Sequence, residues 1–320
     1  MKVLHKTISQ LTIPTPFAVG DVHIYLLKGD TLSLVDAGVK TKEAWEALKI
    51  QLKELGYFPE DIEQIILTHH HPDHIGLIEQ FPRVESIVAH KNVDLWLTRN
   101  EAFFSHYEQF FKDFFVVSGV PSEFQAVLNK LRGPLKFAGA GQLTTAIDEG
   151  DILPGHEDWR VVETKGHAQS HLSFFRKSDG AFIGGDHLLR HISPNPLLEP
   201  PHDGEKERPK PLLQYRANSQ KCLSLGIKTV FPGHGAIFSN VDELIPVQKK
   251  KQEQRAKKVQ TLLLEYAQTP FQICQQLFPK QYEKQLDLTM SETIGQLDYL
   301  EEEGMVEKWL EDGVYYYHTK

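Results

Sequence analysis

The apolar runs Val22–Leu27 and Thr31–Val35 flank the turn Lys28-Gly29-Asp30 and predict a β-hairpin with glycine at its bend. Within Thr41–Leu55, Trp45, Leu48 and Leu52 fall at i, i+3 and i+7, which predicts an amphipathic helix stopped by Gly56. The short apolar run Gln64–Thr68 fits a buried strand and leads directly into His69-His70-His71-Pro72-Asp73-His74. Helical residues Ile75–Gln80 and a strand over Ser86–Ala89 follow. Strand signals return at Arg160–Thr164, Leu172–Arg176, Ala181–Gly184 and Thr229–Phe231, each ending close to a histidine or aspartate. Strands alternating with helices predict a layered α/β fold, and open sheets carry their sites at strand ends.

Three stretches depart from that pattern. Between residues 100 and 132, Phe103, Phe104, His106, Tyr107, Phe110, Phe111, Phe114 and Phe115 recur at helical spacing, as core helices or as an apolar lid over a substrate pocket. In the lid reading, His106 and Tyr107 touch substrate. The proline-rich stretch Pro194–Pro211 is expected as a rigid loop that either walls the pocket or links surface elements. Beyond about residue 241 the pattern predicts a long polar helix over Asp242–Tyr266, a second over Thr269–Phe278 with Pro270 in its first turn, and a third over Ser291–Glu303 ending at Gly304. Strands Met305–Leu310 and Val314–His318 around an Asp312-Gly313 turn close the chain. Three helices and a hairpin outline a winged helix, so residues 1–240 are expected as the catalytic domain and 241–320 as a small winged-helix-like domain.

At 320 residues, 40% hydrophobic and 24% charged, the chain has the composition of a soluble globular protein and the size for one large domain with an appendage. It contains no apolar run of signal-peptide or membrane-spanning length, so a cytoplasmic protein is expected, with no membrane partner. Cys222 and Cys274 stand far apart, which offers neither a disulfide framework nor a cysteine-rich zinc module; both are expected to be buried. The net charge of −8 argues against a polyanionic partner. From Asp287 to Asp312 nine acidic residues face the single base Lys308, so a recognition helix there would repel phosphates. The basic run Lys249–Lys258 is the counter-signal, and its usual meaning is a solvated helix face. The expected partner is a small-molecule substrate, with the C-terminal appendage serving packing or homodimerisation.

The chemistry concentrates in His69-x-His71-x-Asp73-His74. Alternate residues of an extended segment point the same way, so His69 and His71 can chelate one ion while Asp73 and His74, past the bend at Pro72, turn toward another. Two ions roughly 3.5–4 Å apart would clamp a bridging water. Later strand ends supply His167, Asp186 and His234, each beside glycines that allow close backbone approach. The set comprises five histidines and two aspartates. Ligands of N and O type without thiolate suit two divalent ions, zinc first, with iron and manganese also compatible.

These motifs, in this order over residues 20–240, resemble those of metallo-β-lactamase-superfamily hydrolases. Leu34-Val35-Asp36-Ala37-Gly38 resembles the first motif, HxHxDH the second, and His167, Asp186 and His234 the third to fifth. The resemblance implies an αββα sandwich, with His69, His71 and His167 on one metal, Asp73, His74 and His234 on the other, and Asp186 bridging. It also implies a supporting, non-ligating role for Asp36; His171, four residues after His167, is a further candidate for such a role. His187, beside Asp186, is expected to be structural, and His70 to face away from the metals. The C-terminal segment is similar to that of superfamily members with an appended winged helix. No cysteine stands where secreted zinc β-lactamases place one, which argues against antibiotic hydrolysis. The expected reaction is attack of a metal-bridging hydroxide on a carbonyl, with Asp73 as catalytic proton acceptor and a small thioester or ester as substrate, as in glyoxalase-II-like hydrolases. The rivals are a single-strand-specific endoribonuclease and an iron-dependent persulfide dioxygenase.

Overall fold

The computed structural model describes residues 2–5, 7–192, 195–202 and 204–320. Strands β1 (Lys2–His5), β2 (Ile8–Ile13), β3 (Val22–Lys28), β4 (Leu32–Val35), β5 (Gln64–Ile66), β6 (Ser86–Ala89) and β7 (Thr145–Ala146) form one seven-stranded sheet in chain order. Pairing is antiparallel from β1 to β4 and parallel from β4 to β7. The second sheet runs in the order β12-β11-β10-β9-β8, from β8 (Ile152–Leu153), β9 (His156–Glu163), β10 (Leu172–Arg176), β11 (Ala181–Gly185) and β12 (Thr229–Pro232). Only β11 and β12 pair in parallel within it.

Strand periodicity explains the layering. Tyr25 and Leu27 of β3 join Val35, Ile66 and Val88 against Trp159, Val161, Phe174 and Ile183 of the second sheet. One residue out of phase, Ile24 and Leu26 join Leu34, Ile65 and Ala89 on the opposite face, under Ala44, Leu48 and Leu52 of helix α1 (Lys42–Glu54). Each such Leu or Ile contributes about 1.5–3 kcal/mol by leaving water, so the two stacked sheets with α1 outside the first give the layered α/β fold expected from the pattern and the sandwich that the resemblance implies. Helix α1 starts where Thr41 Oγ1 accepts the Ala44 amide hydrogen at 3.1 Å, and Gly56, at φ +83°, follows its end.

Two local expectations shift near the histidine motif. The helix expected over Ile75–Gln80 is instead α2 (Pro72–Ile75), opened by Pro72, followed by a 3₁₀ turn at Ile78–Gln80. They separate at Gly76, whose backbone lies so close to Val39 and Lys40 that a Cβ would sit 2.2 Å from the Lys40 nitrogen. Strand β5 ends at Ile66 rather than Thr68 because the Thr68 amide donates to the Asp36 side chain instead of to a neighbouring strand.

The chain forms two compact units. The first, residues 1–100, 133–194 and 218–241, contains both sheets, α1, α2 and α3 (Val93–Leu97). The second takes residues 101–132, 195–217 and 242–320, so the division expected at residue 241 opens only the last of its three segments. The physical reason lies in its core. Phe111 and Phe115 of α4 (Glu101–Val117) pack with Val259 of α6 (Val241–Leu262), Ile273 of α7 (Pro270–Leu277), and Ile294 and Leu297 of α8 (Leu286–Glu302). Between these units in the chain, α5 (Pro211–Ser224) follows the proline-rich stretch; Pro194 lies outside the described residues. Arg208 from that stretch donates to both carboxylate oxygens of the buried Asp298, at 2.8 and 2.5 Å. The antiparallel hairpin β13 (Val306–Glu311) and β14 (Val314–Thr319) closes the unit, with a further bridge between Gln268 and Tyr317. Among the described residues no helix is long and apolar enough to cross a membrane.

Candidate metal centre

The ligand-type side chains of the first unit leave the C-terminal ends of four strands. The loop after β5 carries His69 and His71, helix α2 that follows it carries Asp73 and His74, the turn after β9 carries His167, and Asp186 and His234 follow β11 and β12. His69 Nε2 and His167 Nε2 lie 3.0 and 2.9 Å from His71 Nδ1. His234 Nε2 lies 3.3 Å from Asp73 Oδ2. Asp186 sits between the clusters: its Oδ1 is 3.5 Å from His74 Nε2, and its Oδ2 is 3.5 Å from both His167 Nε2 and His234 Nε2. Three overlapping groups could each hold a metal ion: His69, His71 and His167; His69, His74 and Asp186; and Asp73, His74 and His234.

Acceptor-only partners fix how several rings present themselves. The Asp36 carboxylate accepts from His74 Nδ1 at 2.8 Å, and the Asp21 carbonyl accepts from His234 Nδ1 at 2.8 Å. Thr68 donates its hydroxyl hydrogen to Asp36, so its oxygen, 2.9 Å from His69 Nδ1, accepts there. All three imidazoles therefore turn Nε2 inward with Nδ1 protonated, the tautomer that outer partners impose on metal-binding histidines.

Burial and mutual charge set the proton inventory. Burial, reinforced by neighbouring imidazoles, holds His69 and His71 well below the usual histidine range, so both stand neutral and ready to ligate. Burial also disfavours charge on His74, but Asp186, Asp36 and Asp73 outweigh it and raise its pKa well above normal. His234 rises to about 10, as Asp186 and Asp73 likewise overcome its burial. Asp186 and Asp73 stay ionised, because His74 and His234 outweigh the desolvation that would protonate them. A metal ion taking His74 and His234 as ligands would displace protons from them.

The residues fit metal binding. His74 Nε2 and Asp186 Oδ1 are buried without a hydrogen-bond partner of normal geometry, which a folded interior tolerates poorly unless something else satisfies them. Gly233 fits the same picture: a Cβ there would stand 2.2 Å from Asp186 Oδ1. A fourth cluster, His90 with Asp148 and Glu163, is less suited. The Asn92 amide donates to His90 Nδ1 at 3.2 Å, which leaves the proton of a neutral ring on Nε2 and neither nitrogen open to a cation.

The remaining candidates take other places. Asp36, at φ +65°, and His171 both contact the ligand residues, the latter accepting the Asp186 amide hydrogen at 3.0 Å. Burial and the nearby His167 and His187 keep His171 well below its usual pKa, hence neutral. His70 is 2.8 Å from Ser170 Oγ, stacks on Trp96 and meets the His71 ring edge-on at 4.9 Å without entering any of the three groups, and His187 is buried and held neutral, its pKa lowered to about 3 by burial. His106 is exposed on α4 of the second unit; Tyr107 packs between Phe103 and Phe111 with its phenol pKa raised by burial. Cys222 and Cys274 are buried. Two contributors were absent from the sequence candidates: Thr68, whose position directly before His69 was the available signal, and the Asp21 carbonyl, a main-chain group with no signal of its own.

Comparison with known proteins places the chain in a family. The profile of the metallo-beta-lactamase superfamily matches residues 18–234. The chain is 42% identical over 309 residues to the "Probable metallo-hydrolase YqjP" of Bacillus subtilis (strain 168), covering 97% of each chain. It is 24% identical over 226 residues, 71% of this chain and 54% of the other, to an "Atrochrysone carboxyl ACP thioesterase" of Aspergillus fumigatus. A solved metallo-beta-lactamase family protein of Thermus thermophilus superimposes with a TM-score of 0.81 at 28% identity over 99% of this chain and 100% of that one. With the profile spanning both strand-end clusters and the likeness running the length of the chain, this protein belongs to the metallo-beta-lactamase superfamily.

Proposed function

We propose that this metallo-hydrolase cleaves small thioester or ester substrates at a two-metal centre. The observation that carries the reading is the overlap of the ligand groups around the buried, ionised Asp186, whose two oxygens face histidines of both clusters. His69, His71 and His167 would hold one divalent ion and Asp73, His74 and His234 the other, with Asp186 between them; the all-N/O donor set suits zinc. Bound ions would supply a nucleophilic water at neutral pH and a Lewis acid for the substrate carbonyl.

The chain's own groups do the rest. Asp73, ionised at neutral pH, takes up the proton released as the nucleophile forms, at its carboxylate. Asp36 and the Asp21 carbonyl hold His74 and His234 in the ligating tautomer throughout. The thioester class is supported by the name of the Aspergillus relative. The helices α6, α7 and α8 and the β13–β14 hairpin, residues 241–320, form, in this reading, a winged-helix-like appendage that does not bind nucleic acid, since its third helix and hairpin are acidic.

The test is a panel of acyl thioesters of graded length, simple esters and single-stranded RNA, offered to zinc-loaded protein. The expected result is thioester or ester hydrolysis that varies little with ionic strength. Metal-dependent, salt-sensitive RNA cleavage with no ester hydrolysis would replace the reading with a ribonuclease.

A further inference from the structure

We infer that His171 is a positioning residue: with Thr164 and Ser173 it closes a one-way hydrogen-bond circuit that clamps the backbone from Gly184 to Asp186 and so sets the carboxylate lying between the two ligand clusters. The inference rests on the metal-centre reading proposed above, but concerns residues outside the ligand set.

The direction of each bond follows from its one unambiguous end. The backbone amide of Asp186 can only donate, so His171 Nε2, 3.0 Å away, accepts. The ring proton is thereby placed on Nδ1, which donates to Thr164 Oγ1 at 2.8 Å. Thr164 spends its own hydrogen on Ser173 Oγ at 2.8 Å, and Ser173 donates to the Gly184 carbonyl at 3.3 Å. The circuit thus leaves the chain at residue 186 and returns at residue 184. His171, Thr164 and Ser173 are all fully buried, where no water can substitute for a missing partner.

Two further features make the clamp specific to Asp186. Gly185, between the clamped groups, has φ +48°, and a Cβ there would lie 2.7 Å from His171 Nε2, so the ring is seated against bare backbone. The Gly185 carbonyl also accepts the Gly233 amide hydrogen at 2.7 Å, tying the clamped peptide to the turn that carries His234. With both ring nitrogens committed, His171 is not itself a ligand although its ring centroid lies 4.8 Å from that of His69. Its position in the sequence, four residues after His167, marks it as a candidate for a supporting role but does not name its partner, because the group it holds is a main-chain amide fifteen residues away.

The experiment compares zinc affinity, read by chelator competition on the full-length protein, with melting temperature and cobalt(II) absorption for three variants. His171→Leu keeps the volume but cannot accept the Asp186 amide hydrogen; its affinity for the more weakly held ion should fall about 10- to 100-fold, with an altered cobalt spectrum. His171→Gln offers an acceptor oxygen and should recover most of the loss. Ser173→Ala opens the circuit at its far end with little change of volume, and should weaken zinc in the same direction but less; it serves as the test if His171→Leu does not fold. Unchanged zinc affinity in folded His171→Leu or Ser173→Ala overturns the inference, as does an equal loss in the Leu and Gln variants, which would show mere space filling. Zinc affinity is read without substrate, so an enzyme that binds zinc yet hydrolyses no ester would refute the proposed function while leaving this result standing.

Discussion

The Asp36 carboxylate accepts the Nδ1 hydrogen of His74 at 2.8 Å across 38 positions of sequence, and takes the Thr68 amide and hydroxyl as well. One side chain thereby orients His74 and, through Thr68, His69. Asp36→Asn, which still tolerates φ +65°, would turn amide hydrogens toward groups that donate. We expect zinc affinity to fall about 10- to 100-fold with the fold retained, measured by chelator competition beside circular dichroism. Wild-type affinity would show that the ring orientation is held by packing alone.

Gly233→Ala probes the same centre from the opposite side. Its Cβ would meet Asp186 Oδ1 at 2.2 Å, well inside van der Waals contact, so either the carboxylate or the turn before His234 must move. The expected outcome is loss of at least one equivalent of metal by elemental analysis of folded protein. Full metal content would place Asp186 elsewhere in the loaded enzyme.

How much of this was legible in the sequence depended on whether the signal was local. Each of Leu172–Arg176 and Ser86–Ala89 forms a strand with the expected bounds because an apolar run between turns carries its own instruction. The seven ligand-type residues were visible as residue types at strand ends. What the pattern missed was decided by distant partners. Strand β5 ends two residues early because Asp36 captures the Thr68 amide, and α8 starts five residues before Ser291 because Leu286 and Met290 bury against the second unit's core. The domain boundary shifted for the same reason: nothing local to α4 says that Phe111 and Phe115 complete a core built from residues after 241.

That core makes its own prediction. Phe111→Ala removes a ring that is 5% exposed within the second unit, and should destabilise the protein by about 3–5 kcal/mol in urea unfolding. A change below about 1 kcal/mol, together with a raised KM confined to long acyl chains, would instead favour the lid reading of this helix.

His156 supplies a pH dependence away from the metals. It is buried with Nε2 2.8 Å from Ser33 Oγ, and burial lowers its pKa to about 4. Below about pH 6.5 the unfolded chain binds this proton and the folded chain does not, so stability is complete above that value and falls as pH drops toward 4. The loss reaches about 3 kcal/mol at one site. His156→Gln should flatten this part of the stability profile measured by denaturant unfolding; an unchanged slope would assign the acid sensitivity to other groups.

If two ions shared through Asp186 make one hydrolytic site, metal content and turnover must rise together. The decisive measurement titrates metal-free protein with zinc and follows thioester hydrolysis at each addition. Activity should climb until two equivalents per chain are bound and then level off, and Asp186→Ala should bind less metal and show no activity at any ratio. A plateau at one equivalent, or wild-type rates in Asp186→Ala, would refute the shared two-ion site.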